Sequence, residues 1–212
     1  MIIPKNKDWP LAYFQSGEWQ VVKEKLDDED DNFNPGWGHL FDGLKLVPCE
    51  RVRVAILGQD PYPDRMYCTG VAFSVPQSAG IPPSLKNIFK EYQDDLGFPP
   101  PRCGDLTKWC EQGVLLWNVY PSCRTGQPGS HHWLEWEYLT KEILELIDGK
   151  ATVVFLGNRA RSFARYCTKS PTICTSHPSP LGARYGFFGS RIFSKINATL
   201  EQPIDWRLDD GS

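Results

Sequence analysis

Along this chain, short apolar runs alternate with longer stretches in which apolar residues recur every three or four positions, and each run ends in a turn of glycine, amide or proline residues. Val52-Arg53-Val54-Ala55-Ile56-Leu57 is rich in β-branched residues and stops at Gly58, the pattern of a buried strand running into a turn. Val114-Leu115-Leu116-Trp117, Thr152-Val153-Val154-Phe155-Leu156 and Thr172-Ile173-Cys174-Thr175 repeat it. Between them, Ser84 is placed to cap a helix whose inner face carries Leu85, Ile88, Phe89, Tyr92 and Leu96, with Gly97 ending it. Asp105 opens a shorter helix closed by Gly113. A long helix then presents Trp133, Trp136, Leu139, Ile143, Leu144 and Ile147, residues 159–168 form another capped by Asn158, and residues 191–200 close the chain. Strand and helix thus alternate four times through short connections. This predicts a single-domain α/β fold with a central four-stranded parallel sheet flanked by helices on both faces. The segment before Val52 is expected to be helical and to pack outside that sheet.

Composition narrows the class. With 212 residues, 41% of them apolar and 23% charged, the chain is long enough for one domain with a large core. No window approaches the roughly 18 apolar residues of a membrane span, and Met1-Ile2-Ile3-Pro4-Lys5 lacks a signal-peptide layout, so a cytoplasmic protein without a membrane partner is expected. Seven cysteines form no C-x-x-C pair and an odd number cannot all pair with one another, which favours reduced thiols. His131 and His132 are adjacent and would point apart on a regular element, so no metal site is expected.

The net charge of −3 hides a strong asymmetry. Residues 151–200 hold seven basic side chains and no acid, while Asp27-Asp28-Glu29-Asp30-Asp31 is wholly acidic. One phosphate-facing surface on an otherwise acidic body fits that distribution.

If the apolar runs are parallel strands, the segments that follow them meet at one sheet edge, where an open α/β fold holds its ligand. Asp60 lies two residues past the first strand, between Gln59 and Pro61. A carboxylate there can bind a metal, act as a base or stabilise a cationic transition state. No second acid accompanies it in the motifs, which disfavours two-carboxylate glycosidase chemistry and metal binding. Asn118 ends the second strand, and its carboxamide offers a donor beside an acceptor, matching an imide edge such as that of uracil or thymine. His177 heads a loop stiffened by Pro178 and Pro180 and can donate to a developing oxyanion.

Gly58-Gln59-Asp60-Pro61-Tyr62, Pro82-Pro83-Ser84-Leu85, Gly104-Asp105-Leu106, Gly113-Val114-Leu115-Leu116-Trp117-Asn118, His177-Pro178-Ser179-Pro180-Leu181, Gly186-Phe187-Phe188-Gly189-Ser190 and Pro203-Ile204-Asp205-Trp206, in this order, resemble family 1 uracil-DNA glycosylase. The resemblance implies one glycosylase domain over residues 1–212, with residues 1–50 as an N-terminal helical segment and 51–206 as the catalytic core. It implies hydrolysis of the N-glycosidic bond of a flipped-out deoxyuridine, leaving an abasic site as the first step of base excision repair, with no cofactor. Asp60 and His177 would be catalytic, Asp60 stabilising the sugar oxocarbenium and positioning water, His177 stabilising charge on uracil O2. Asn118 would read O4 and N3–H, Gln59 would lend its backbone amide, Phe73 would stack on the ring, and Tyr62 would press against C5. Pro82, Pro83, Ser84, Ser179, Pro180, Leu181 and Arg184 would contact DNA, with Leu181 as the wedge and Ser84 and Ser179 gripping phosphates. Expected partners are uracil-containing single- and double-stranded DNA and a proteinaceous inhibitor, bound by a monomer.

The chain departs from the family pattern at Pro63, often histidine; at Asn158 and Gly182, often serine; and at Arg184-Tyr185, where arginine usually comes second. Two other readings share these residues: a DNA-binding module with little catalysis, and a deglycosylase for mismatched thymine. The intact trio of Asp60, Asn118 and His177 argues against the first, and Tyr62 against the second.

Overall fold

The computed structural model describes residues 4–5 and 8–208; residues 1–3, part of the segment without a signal-peptide layout, lie outside it. In chain order the elements are α1 (Gly17–Asp27), β1 (Phe33–Asn34), α2 (Asp42–Leu46), β2 (Val54–Gly58), α3 (Pro83–Leu96), α4 (Thr107–Glu111), β3 (Val114–Asn118), β4 (Cys123–Arg124), α5 (Trp136–Ile147), β5 (Thr152–Leu156), α6 (Asn158–Arg161), β6 (Thr172–Thr175) and α7 (Ile192–Asn197). The four anticipated strands form one parallel sheet ordered β3-β2-β5-β6, flanked by helices. β2 and β5 are buried along their whole length, which is why their sequences run apolar without alternation. β6, at the edge, alternates exposed Thr172 and Cys174 with half-buried Ile173 and Thr175.

The helices differ from expectation mainly at their ends. α3 buries Leu85, Ile88, Phe89 and Tyr92 and stops at Gly97, whose φ of 75° is left-handed. Its cap is Pro82, however, with Pro83 as the first helical residue, so Ser84 lies inside the first turn rather than capping it. Asp105 accepts the Thr107 N–H at 2.9 Å but stands two residues before α4. α5 begins at Trp136, leaving Trp133 in the preceding turns and 51% exposed, not on the inner stripe. α6 covers only four residues before tightening into a 3₁₀ helix at Ser162–Tyr166, and its cap is Gly157 rather than Asn158. α7 is shorter than residues 191–200 because Arg191 sits at φ 57° outside it, its N–H held by the buried carboxylate of Glu91 at 2.7 Å.

The segment before β2 is not purely helical. β1 pairs antiparallel with β4, placing Phe33 opposite Arg124 and Asn34 opposite Cys123. Two residues carry no readable period, and the pairing exists only because the chain returns to the same place. One apolar core runs from Trp9 to Leu208. Trp19 and Trp136 approach to 6.3 Å between ring centroids, Trp109 and Trp206 to 5.2 Å, and the Trp109 indole donates to the Trp206 carbonyl at 2.8 Å. All seven cysteines are free thiols, and among the described residues no helix is long and apolar enough to cross a membrane.

Candidate active site

In the strand order β3-β2-β5-β6, the chain first builds outward from β2 through β3, then crosses back to its other side through β5. Connections leaving β2 and β5 therefore diverge, and a crevice is left at their carboxyl ends. A cavity of about 420 Å³ opens there, and Gln59, Asp60, Tyr62, Phe73, Ser84, Asn118, His177, Ser179 and Leu181 all line it. Pro82, Pro83, Pro180 and Arg184 do not. Pro82 and Pro83 start α3, Pro180 is exposed, and the Arg184 guanidinium lies 4.8 Å from the ring centroid of exposed Tyr185.

The floor is made by backbone proximity. Gly58 ends β2 directly opposite Asn118 at the end of β3. A Cβ on Gly58 would stand 2.6 Å from the Asn118 carboxamide oxygen and 2.7 Å from the Phe73 ring, so only glycine lets the amide and the ring meet. Phe73 itself holds a left-handed φ of 65°, a conformation costly for a bulky residue. Its carbonyl accepts the Tyr62 hydroxyl at 3.0 Å, which pins the tyrosine ring beside it, and Tyr67 packs edge-on at 5.9 Å between centroids. The Tyr62-Pro63 turn is fixed from below by buried Asn34, whose amide donates to both carbonyls at 3.0 and 2.8 Å.

Asp60 is held on both oxygens. The Gln59 side-chain amide donates to one at 3.2 Å, and the backbone N–H of Gly129 donates to the other. Burial nevertheless dominates and pushes its pKa above the usual aspartate value, with the two donors opposing the rise. The carboxylate is therefore poorly solvated and has few partners, so a cation formed beside it would be strongly stabilised.

His177 faces the same cavity from the loop after β6. Its Nδ1 accepts the Ser179 N–H at 3.0 Å, so the proton of the neutral ring sits on Nε2. Burial lowers its pKa to about 4, and the ring stays neutral at physiological pH while presenting one N–H. Gly157 makes room for it: at φ 94°, any Cβ there would come within 2.9 Å of the His177 Cβ. The Phe73 and His177 rings lie 6.1 Å apart. At the rim, Leu181 is 84% exposed, an apolar side chain projecting into solvent at the mouth of the cavity. Among the described residues no group of three histidines, cysteines or acids is placed to hold a metal ion.

The sequence reading missed two residues that shape this site. Gly129 reaches Asp60 across 69 positions, from a loop whose glycines and proline signalled a turn but not its destination. Asn34 could have been flagged as an amide set between Phe33 and Pro35, though nothing local shows that it faces the Tyr62 turn.

A parallel sheet with one desolvated carboxylate, one neutral imidazole donor and one carboxamide at its carboxyl edge defines an α/β enzyme built to bind a planar polar ring while stabilising charge next to it. The family model described as "Uracil DNA glycosylase superfamily" matches residues 44–201, and the chain belongs to that superfamily. It is 43% identical over 210 residues to the uracil-DNA glycosylase of Enterococcus faecalis, covering 94% of this chain and 93% of that protein. It is 42% identical over 224 residues to the uracil-DNA glycosylase of Anoxybacillus flavithermus, covering 99% of each. A crystal structure of a mimivirus UNG variant in complex with UGI superposes with a TM-score of 0.88 at 26% identity, covering 98% of this chain and 89% of that one.

Proposed function

We infer that the cavity at the β2–β5 switch point is where this chain excises uracil from DNA, hydrolysing the N-glycosidic bond of a flipped-out deoxyuridine and leaving an abasic site. The protein is a glycosidase of base excision repair. The observation that carries the assignment of roles is that a desolvated carboxylate, Asp60, and an uncharged N–H donor, His177, line one small cavity.

Extrusion brings the base into the cavity, where Asn118 pairs with O4 and N3–H, Phe73 stacks on the ring and the Gln59 backbone amide adds a further donor. As the bond between C1′ and N1 breaks, its electron pair passes into the ring and negative charge gathers on O2. The Nε2–H of His177 stabilises that oxyanion without first having to lose or gain a proton. The positive charge left on the sugar faces Asp60, which also orients the water that adds to C1′. Tyr62 fills the space that the thymine methyl would need. Leu181 enters the stack where the nucleotide has left. Ser84 and Ser179 hold phosphates on either side, with Pro82, Pro83, Pro180 and Arg184 completing the rim. Residues 1–212 act as one domain, the 51–206 core carrying the chemistry and residues 1–50 buttressing it.

The exposed wedge and the extruded base do not require a second strand, so both single- and double-stranded uracil DNA are substrates of the monomer. The mimivirus complex with UGI supports a proteinaceous inhibitor as a further partner of this cleft. Asp60→Asn tests the central role. Single-turnover excision should fall by orders of magnitude while uracil-DNA binding persists, because the carboxylate meets its cation only in the transition state. Near wild-type turnover would remove Asp60 from the chemistry.

A further inference from the structure

The acidic run and the paired histidines play no part in the mechanism above, yet half-buried Glu29 of the first is joined to buried His131 of the second. His131 is 1% exposed, and its Nε2 lies 3.2 Å from the Glu29 carboxylate. The same Glu29 oxygen accepts the Arg124 guanidinium at 2.7 Å. On the other side, His131 Nδ1 lies 2.8 Å from the Ser122 hydroxyl, which also accepts the Trp136 indole N–H at 2.8 Å. The donors can be ordered. An indole only donates and a carboxylate only accepts, so the chain runs from Trp136 to Ser122, from the Ser122 hydroxyl to His131 Nδ1, and from His131 Nε2–H to Glu29. Every member is satisfied with His131 neutral, in keeping with a pKa lowered by burial.

This chain of bonds lies at the two ends of the loop that carries Gly129. Further bonds hold the loop itself: the Ser130 hydroxyl accepts the Arg124 N–H at 2.7 Å, the Gly126 N–H reaches the Pro63 carbonyl at 2.8 Å, and the Thr125 N–H reaches the Asn32 carbonyl at 3.2 Å. Gly129, two residues before His131, points its N–H at Asp60. Glu29 is 102 positions from His131 in sequence, so the N-terminal segment fastens an active-site loop.

We propose that Glu29 and His131 are positioning residues for uracil excision, holding the 124–131 loop so that the Gly129 N–H stays on the Asp60 carboxylate. The inference rests on the reading of Asp60 as the charge-bearing group. Cutting the anchor lets the loop drift, and Asp60 loses one of its two donors while remaining buried. The Gln59 amide and the Cys123 thiol still face Asp60; Ser122, Glu29 and Arg124 face His131, and His132 Nδ1 lies 2.6 Å from the Gly129 carbonyl.

The test compares Glu29→Leu, which removes the acceptor, with Glu29→Gln, which keeps an oxygen for His131 Nε2–H. Two quantities are read: the steady-state constants on a uracil oligonucleotide, and the titration midpoint of the Asp60 carboxyl followed by heteronuclear NMR. Glu29→Leu should lower kcat about tenfold with KM little changed and raise the midpoint by about one pH unit, the effect of one lost donor. Glu29→Gln should recover most of both. If Glu29→Leu does not fold, Ser122→Ala breaks the chain at its other end and is read in the same way. A folded variant with the wild-type midpoint and kcat overturns the proposal. Asp60→Asn, run in parallel, separates the two ideas. Inactivity there with no shift in the anchor variants refutes only the anchor, whereas full activity there refutes the role of Asp60 itself.

Discussion

The neutrality of His177 is written into the pH dependence of folding. In the unfolded chain an imidazole takes its proton near pH 6.5, whereas in the folded protein burial delays it to about pH 4. Above pH 6.5 both states are uncharged at this position and the group contributes no pH dependence. Below it, the unfolded state binds a proton that the folded state refuses, so stability falls as the solution is acidified through this window. The slope is up to about 1.4 kcal/mol per pH unit, and the whole window amounts to about 3 kcal/mol, a large share of a typical domain's stability. His177→Asn removes the titration. It also loses the bond from the Ser179 N–H, but that loss is the same at every pH and shifts the line without tilting it. His131, buried and with its own lowered pKa, is common to both proteins and cancels in the comparison. Urea unfolding at a series of pH values should therefore show the wild type losing about 2 to 3 kcal/mol more than the variant between about pH 7 and pH 4.5. Parallel lines for the two proteins would mean that His177 takes its proton in the folded state near its ordinary pKa. The ring would then be an imidazolium below about pH 6.5, and burial would not be what keeps it neutral.

Three further outcomes follow from the same geometry. Tyr62→Ala, by removing a ring pinned at the Phe73 carbonyl, should allow measurable thymine release on prolonged incubation while slowing uracil excision; no thymine release above wild type, with uracil activity still detectable, would place discrimination elsewhere. Arg184→Gln and Arg191→Gln should each flatten the dependence of log affinity on log salt by about 0.7 to 0.9 if the side chain neutralises one phosphate, and unchanged slopes in both would move the DNA surface away from residues 151–200. Tyr13 is buried, and among the described residues its hydroxyl has no partner; Tyr13→Phe should therefore leave stability unchanged or raise it by about 1 kcal/mol, about 2–4 °C in Tm by calorimetry, and a clear loss would reveal a partner for that hydroxyl.

The positions of the strands were legible from the chain alone because β2, β3 and β5 are buried along nearly their whole length, and burial selects continuous apolar runs whatever packs against them. Asp60, Asn118 and His177 were legible for a related reason. Asp60 and Asn118 sit at the ends of two such runs and His177 two residues past the short edge strand β6, and in a parallel sheet every strand points its carboxyl end the same way. Helix ends were read less well. Ser84 and Asn158 have the chemistry of caps, but the proline pair fixed the start of α3, and the close approach of His177 forced a glycine at the start of α6. Trp133 fits the spacing of α5, yet the turns around buried His131 end just beyond it, so the helix starts later.

What the sequence determined by itself was the set of candidate site groups and the sheet that carries them, because local periodicity and strand direction are properties of contiguous residues. The tertiary structure alone decided the charge states and the partners. The pKa of His177 depends on burial by segments distant in the chain, and its tautomer on where the Ser179 N–H falls once the loop is closed. The second donor to Asp60 comes from Gly129, and the Glu29–His131 contact that brackets its loop joins residues 102 positions apart in the chain. Bonds across such separations leave no period in the sequence. They arise only when packing has brought the donor and the acceptor within about 3 Å of one another.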